Sequence, residues 1–399
     1  MMAQSVAPLG WSVLPFVLSL VTILCNGAAI FCPSKCACPK KDVVICNGTE
    51  LMEIPMDWPD TLRVLSITHS PLKTLTTNGL RRYSRLEKLK LDWNELETIE
   101  KFAFRGLKKL RLLSVQNNMN LLTFGRFSFS DIRSESSLEM HLQDNGVEEI
   151  ERNAFSNNQG IRKLDLRGNP VRRLRHHSLS GLNQTDFLFL PADIERIDQQ
   201  AFFNTTRVHL LQIEEANLTD TGLIPHTFDG LEHVTSLVIK QSRLGDLHAE
   251  AFAGIETVHY VRITDSQITR VHRAAFANMH NVGVLEVIDN RIALIDRNAF
   301  DGHTVQKLRF ENNRIHCSCA NMWMLTDTRI PRDMLAVNYC MSPARLENRA
   351  LIDIGAEYAR KCPVVAAQQQ LTSSASGTPL ILSSFLVILL TSFPLISSL

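Results

Sequence analysis

Residues 86–99 read Leu86-Glu87-Lys88-Leu89-Lys90-Leu91-Asp92-Trp93-Asn94-Glu95-Leu96-Glu97-Thr98-Ile99, an aliphatic frame with Leu at positions one, four, six and eleven, Asn at nine and Ile at fourteen. The frame returns at Ile161, Leu164, Leu166, Asn169, Val171 and Leu174, and again at Val282, Leu285, Val287, Asn290, Ile292 and Ile295. Set in register, eleven copies begin near Leu62, Leu86, Leu110, Ser137, Ile161, Gln184, Val208, Val234, Val258, Val282 and Val305. The intervals are 24, 24, 27, 24, 23, 24, 26, 24, 24 and 23 residues, which leaves no room for a separate domain inside the array. Register is weakest at Ser137 and Gln184, and insertions fall near Met119 to Leu122 and near Gly222 to Pro225.

This spacing is identified as that of the leucine-rich repeat. The alternation that opens each copy predicts a short strand with aliphatic residues inward and the residues between them outward. One copy cannot bury its apolar face alone, so neighbouring copies complete the core and form a solenoid. The predicted fold class is an α/β solenoid, a curved horseshoe with one parallel sheet on its concave face. At about 4.8 Å per strand the ribbon is roughly 50 Å long.

A second stripe reads Ala103-Phe104, Ala154-Phe155, Ala201-Phe202, Thr227-Phe228, Ala251-Phe252, Ala275-Phe276 and Ala299-Phe300, with Ser178-Leu179 as the exception. A Phe at a fixed repeat offset meets its own copy next door, which predicts a buried spine rather than an aromatic ligand cage. The Asn at position nine can satisfy backbone groups of the turn that leaves the strand, and stacked copies form a ladder. Asn94, Asn118, Asn145, Asn169, Asn290 and Asn313 supply it, whereas repeats six to nine carry Ala192, Ala216, Ser242 and Ser266. Because alanine cannot make the bond, the middle of the solenoid is expected to be the least regular part.

Nine cysteines resolve once residues 1–29 are read as a signal peptide. Trp11 to Leu24 is apolar, Gly27-Ala28-Ala29 offers a cleavage site, and Cys25 leaves with the signal; no Lys or Arg precedes Lys35. The remaining eight divide into Cys32, Cys36, Cys38 and Cys46 before the array and Cys317, Cys319, Cys340 and Cys362 after it. The exposed ends of a repeat array need covers, and in an oxidising compartment small covers can be held by disulfides. Residues 30–61 are thus expected to form an N-terminal cap, 62–315 the repeats and 316–362 a C-terminal cap. Sequence alone leaves three pairings open in each cap. A zinc reading lacks a matching histidine pair.

Cys32-Pro33-Ser34-Lys35-Cys36-Ala37-Cys38 followed by Cys46, and Cys317-Ser318-Cys319 followed by Trp323, Cys340 and Cys362, resemble the caps of animal extracellular leucine-rich-repeat proteins. That resemblance spans about 32 to 362. It implies the pairings Cys32 to Cys38, Cys36 to Cys46, Cys317 to Cys340 and Cys319 to Cys362. The architecture is similar to that of lipid-anchored cell-surface members of the family, of Nogo-receptor-like or connectin-like type, which implies cell adhesion or ligand-binding co-receptor function.

After Cys362 an uncharged linker, 363–374, leads to small residues Ser373-Ser374-Ala375-Ser376-Gly377 and an apolar tail from Leu380 to Leu399. That order resembles a glycosylphosphatidylinositol signal, with 375–399 removed and Ser374 as the candidate attachment residue. Twenty apolar residues can also span a bilayer, but a spanning helix normally carries basic residues on its cytoplasmic flank, and none follows Lys361. The expected place is the outer leaflet of the plasma membrane, with single-pass or secreted forms as the alternatives.

The chain carries 42 basic and 41 acidic residues, formal net charge +1, so no field-driven attraction to nucleic acid or an anionic membrane is implied. Four sequons stand at Asn47, Asn183, Asn204 and Asn217, none at an outward strand position of the repeat frame, which predicts a glycan-free concave sheet. No catalytic constellation has supporting context. His176-His177 reads as a solvated basic patch beside Arg172, Arg173 and Arg175, and His248-Ala249-Glu250 lacks the second histidine of a zinc protease motif. No enzyme activity, metal or cofactor is expected.

A curved parallel sheet binds macromolecules through its outward side chains. In the frame above Leu188, Val238 and Arg262 occupy position five and, with Leu190, Leu210 and Tyr260, suggest an apolar strip across repeats six to nine. Trp93, at position eight of the second repeat, is a separate exposed aromatic and a candidate hot spot. The expected function is a cell-surface adhesion molecule or co-receptor that binds an extracellular protein and signals through a transmembrane co-receptor. An innate-immune recognition protein and an extracellular-matrix organiser are the alternatives.

Overall fold

The computed structural model describes residues 32–362 except 280, 303 and 304; Cys25, the signal-peptide reading, Ser374 and the apolar tail lie outside the described residues. A 13-stranded sheet runs the length of the solenoid in sequence order. Its strands are β1 Cys36–Lys40, β2 Val43–Asn47, β3 Val64–Thr68, β4 Lys88–Lys90, β5 Leu112–Ser114, β6 Arg133–His141 and β7 Gln159–Asp165. They continue as β8 Thr185–Phe189, β9 Thr205–Glu214, β10 Leu231–Lys240, β11 Thr257–Thr264, β12 Val284–Ile288 and β13 Lys307–Glu311. The β1–β2 pair is antiparallel and every later pair is parallel. Strands β3 to β13 belong one to each of the eleven repeats, so the cap strand β2 extends the same sheet by one coil.

The convex side is built of turns and short strands. Arg243–Leu247, Gln267–Val271, Arg291–Ile295, Arg314–His316 and Tyr339–Ser342 form a second, five-stranded sheet, whereas the earlier coils pair only two residues at a time, as Thr74–Leu75 does with Thr98–Ile99. Among the described residues the α-helices, Arg332–Ala336 and Gly355–Lys361, lie in the C-terminal cap, so the helical component of the solenoid is confined to its end.

The core is one continuous column. Leu65, Leu89, Leu113, Met140, Leu164, Leu188, Leu211, Leu237, Val261 and Leu285, all inaccessible to solvent, stack at position four. Behind them the Phe spine forms as two stacks. Phe104, Phe129 and Phe155 lie 5.3 and 5.4 Å apart, and Phe202 to Phe300 continue at 6.2, 5.8, 5.5 and 5.7 Å, with Leu179 between the stacks. Phe129 escapes a fixed-offset reading because the insertion at Met119 to Leu122 displaces it. Phe310 meets the last ring, Phe300, edge-on at 5.5 Å, and Trp323 of the C-terminal cap donates its indole N–H to the Ile295 carbonyl at 2.9 Å.

The position-nine ladder is also divided. The backbone N–H of Ser70, Asn94 and Asn118 donates to the side-chain oxygen of Asn94, Asn118 and Asn145 at 2.9–3.0 Å. Further on, Ala216 donates to Ser242 Oγ and Ser242 to Ser266 Oγ, both at 3.1 Å, and Ser266, Asn290 and Asn313 donate to Asn290, Asn313 and Asn338. Serine therefore sustains the ladder in repeats eight and nine, which corrects the expectation of weakness there. The break is narrower: Asn169 Oδ1 is buried without a partner, and Ile194 holds position nine in repeat six. The Asn217 N–H donates to the Ile194 carbonyl at 2.8 Å, the same bond that Arg243 makes to Ala216 and Gln267 to Ser242. Ala192 is not in the ladder at all.

Both caps carry the disulfides that the resemblance implied, Cys32–Cys38, Cys36–Cys46, Cys317–Cys340 and Cys319–Cys362. Cys340 is fully buried and Tyr358 donates its hydroxyl to the Cys317 carbonyl, tying the last helix to the end of the array.

Two outcomes follow. Cys340→Ser should cost about 2–5 kcal/mol and reduce secretion; normal export, with free thiols at the partner positions of the wild-type protein, would contradict the cap assignment. In hydrogen exchange, the strand-exit turns of repeats five and six should exchange faster than those of repeats two to four and nine to eleven. Uniform protection would show that the ladder contributes little.

Candidate ligand-binding face

The sheet presents columns of outward side chains at positions three and five, aligned by strand pairing. In repeat six the pairing sets Thr185 against Val208, Leu188 against Leu211 and Phe189 against Gln212, so the copy begins at Thr185 and not Gln184. A one-residue slip exchanges the two faces of a strand. Leu188 and Leu190 are therefore buried, at 0% and 1% exposure, and do not belong to the ligand-facing set. Leu188 fits the column between Leu164 and Leu211, where a larger ring would overpack. Phe187 and Phe189 take the outward positions. The signal was present, since Leu188-x-Leu190 is itself the Leu-x-Leu of the motif. Between Leu190 and Ile197, which pairs with Leu174, this coil is one residue shorter than the coil before it.

The two outward rings lie parallel, 6.5 Å apart with an interplanar angle of 3°. Strand β7 and its exit supply cations to them: Arg167 is 4.7 Å and Lys163 5.5 Å from the Phe189 ring centre, and Arg162 is 5.9 Å from that of Phe187. Such contacts contribute about 0.5–2 kcal/mol each. Between the two inner cations sits Asp165, fully buried, accepting from Arg167 Nε and Nη2 at 2.9 and 2.7 Å and pairing with Lys163 at 3.2 Å. Burial pushes its carboxyl upward, but Arg167 and Lys163 outweigh that and hold it below the usual carboxylate range. The rings are thus braced from one side by a fixed charge lattice.

On the other side Leu210 is the strand partner of Phe187 and Gln212 that of Phe189, and Val238 follows Gln212. Leu210 and Val238 are half-buried, and Glu214 links Gln212 at 2.6 Å to Lys240 at 2.8 Å. The result is an apolar platform rimmed by charge. Tyr260 and Arg262, one coil on, face a polar network instead. Tyr260 donates to the buried Glu286, which also takes Arg309, while Arg262 Nε lies 3.6 Å from the same carboxylate. Trp93 stands apart in repeat two, 56% exposed and stacked on His69 at 5.8 Å.

The sequons occupy varied settings. Asn47 is exposed and ends β2, paired with Thr68 at outward position seven and bonded to Thr68 Oγ1 and His69 Nδ1 at 3.1 and 3.0 Å. The concave sheet therefore does carry a sequon at its N-terminal end, because the cap contributes a strand that the repeat frame did not include. Asn204 is exposed at a left-handed turn with φ 57°. Asn183 is half-buried with its Oδ1 inaccessible and unbonded, and Asn217 accepts from Thr219 Oγ1 at 2.7 Å. Among the described residues no group of three or more His, Cys, Asp or Glu is placed to hold a metal, and no helix is long and apolar enough to cross a membrane.

Replacing Asp165 with Asn should destabilise the protein by about 1–3 kcal/mol at neutral pH. Because the folded-state pKa is depressed, the stabilisation is full above the unfolded value of about 3.9 and is lost as pH falls through the folded value. Thermal melts of both proteins should therefore converge in acid; a constant difference down to low pH would contradict the charge lattice.

The family described as BspA-type leucine-rich repeat region matches residues 74–209 and 213–322. Mouse podocan is 26% identical over 248 residues, 56% of this chain and 40% of podocan, and human podocan-like protein 1 is 27% identical over 235 residues, 53% of this chain and 46% of that protein. Rat amphoterin-induced protein 3 is 37% identical over 82 residues, 21% of this chain and 16% of its own length. The chain spans less than half the length of these curated relatives. Among solved structures, a chain from an octameric complex of latrophilin 3, Unc5D and FLRT2 superposes with a TM-score of 0.51 at 19% identity, covering 80% of this chain and 97% of that one, a likeness of fold. With the family match extending over more than half of its residues, the chain belongs to the leucine-rich-repeat family.

Proposed function

We propose that this protein is a cell-surface recognition molecule, an adhesion protein or ligand-binding co-receptor, whose extracellular protein ligand docks on the concave face around Phe187 and Phe189. The observation that carries the reading is the braced aromatic pair. Two rings held parallel by three cations and a buried carboxylate lose little freedom on binding, and a rigid aromatic centre with a charged rim has the composition of an interface hot spot. Leu210 and Val238 extend the apolar area; Trp93 offers a second, separate anchor. In this reading residues 375–399 are exchanged for a lipid anchor at or near Ser374, so a message reaches the cell interior through a transmembrane partner.

The test uses the full chain on intact cells. Phe187→Ala combined with Phe189→Ala should weaken ligand capture, read by proximity labelling, by about 2 kcal/mol or more, roughly thirtyfold in affinity, with surface expression unchanged because both rings face outward. Phosphatidylinositol-specific phospholipase C should release the protein. Unchanged labelling by the double variant would move recognition off the platform, and retention after the enzyme would remove the anchor from the reading.

A further inference from the structure

The balanced overall charge conceals a segregated one. The segments that lead into strands β4 and β5, together with the first residue of β6, gather exposed cations on one edge of the solenoid: Arg81, Arg85, Lys108, Lys109, Arg111 and Arg133. None of these six has a carboxylate within 4 Å among the described residues. The nearby acids are largely occupied, Glu87 by Arg63 at 2.8 Å and Asp131 by Arg105 at 3.4 Å, which leaves Glu135. Arg105, Lys108, Asp131 and Arg133 line one shallow depression, so the cations of repeats two and three meet across coils. Arg85 and Lys109 each precede the first residue of a repeat, Leu86 and Leu110, and so recur along the axis at the coil spacing, about 4.8 Å at the sheet.

We propose that this leading edge of repeats one to three binds a sulfated polysaccharide laid along the solenoid axis. The strip is narrow, linear and periodic, as a chain of regularly spaced anions requires, and its arginines present the planar fork that pairs with tetrahedral oxyanions. It lacks the buried apolar anchor of a protein interface: none of the exposed large hydrophobic side chains, Trp93 and Met119 among them, falls within segments 81–88, 105–111 or 131–136. Free cations on flexible stems suit binding by counterion release, which weakens steeply with salt.

The probe is heparin, offered to the purified full chain beside desulfated heparin, polyglutamate and phosphatidylserine vesicles. Heparin should bind, and desulfation should weaken binding by about tenfold or more. Lys108→Gln, Lys109→Gln and Arg111→Gln together should have an effect of about the same size and reduce the salt dependence. Arg81→Gln with Arg133→Gln samples the flanking coils and should weaken binding independently, should the triple variant fold poorly. Arg273→Gln, Arg297→Gln and Arg332→Gln remove the same charge elsewhere and should change nothing, as should the Phe187 and Phe189 alanine pair. Absence of heparin binding, full binding by both strip variants, equal binding of polyglutamate, or preference for the vesicles would each overturn the assignment.

Discussion

A coil of this chain has one apolar face and no means of burying it except against the next coil. Three columns do the stacking: the aliphatic residues of the strands, the Phe spine, and the position-nine ladder of asparagine and serine. The columns do not fail together. The Phe spine is interrupted at Leu179 and the ladder between Asn145 and Ala216, whereas the aliphatic column continues without a gap through Leu164, Leu188 and Leu211. Repeats five and six are therefore joined chiefly by the sheet and its buried leucines.

That local relaxation is where the concave face is most unusual. Ile194 takes the place of the ladder residue, while the strand before it keeps regular pairing with both neighbours, burying Leu188 and Leu190 and turning Phe187 and Phe189 outward. The Asp165 lattice, with Arg167 and Lys163 stacked on Phe189, ties neighbouring coils laterally on the surface where the interior ties are missing. Removing either leucine would open the core, but the two phenylalanines can change without disturbing it. The face is thus separable from the fold, which a recognition surface requires if it is to vary.

Much of this was legible in the sequence. Period, core and spine follow from residues that recur at fixed offsets, and the resemblance of the cysteine clusters supplied pairings that spacing left open. Repeat six was misread because Gln184 and Thr185 both lack the aliphatic side chain that marks position one, and the error moved two buried leucines onto the surface. Asn47 was misplaced for a different reason: the cap strand carries no repeat motif, yet it pairs with β3 as though it did. Charge balance was a poor guide because a sum over the whole chain does not record where the unpaired cations stand. The leading-edge cations and the aromatic platform are distinct surfaces, one flexible and salt-sensitive, the other rigid.

The register of repeat six decides whether the platform exists, and hydroxyl-radical footprinting of the intact protein with residue-level mass spectrometry reads it directly. Phe187 and Phe189 should be oxidised, with Trp93 as the exposed reference, while Leu188 and Leu190 remain protected. Oxidation of Leu188 and Leu190 with protection of the two phenylalanines would contradict the account.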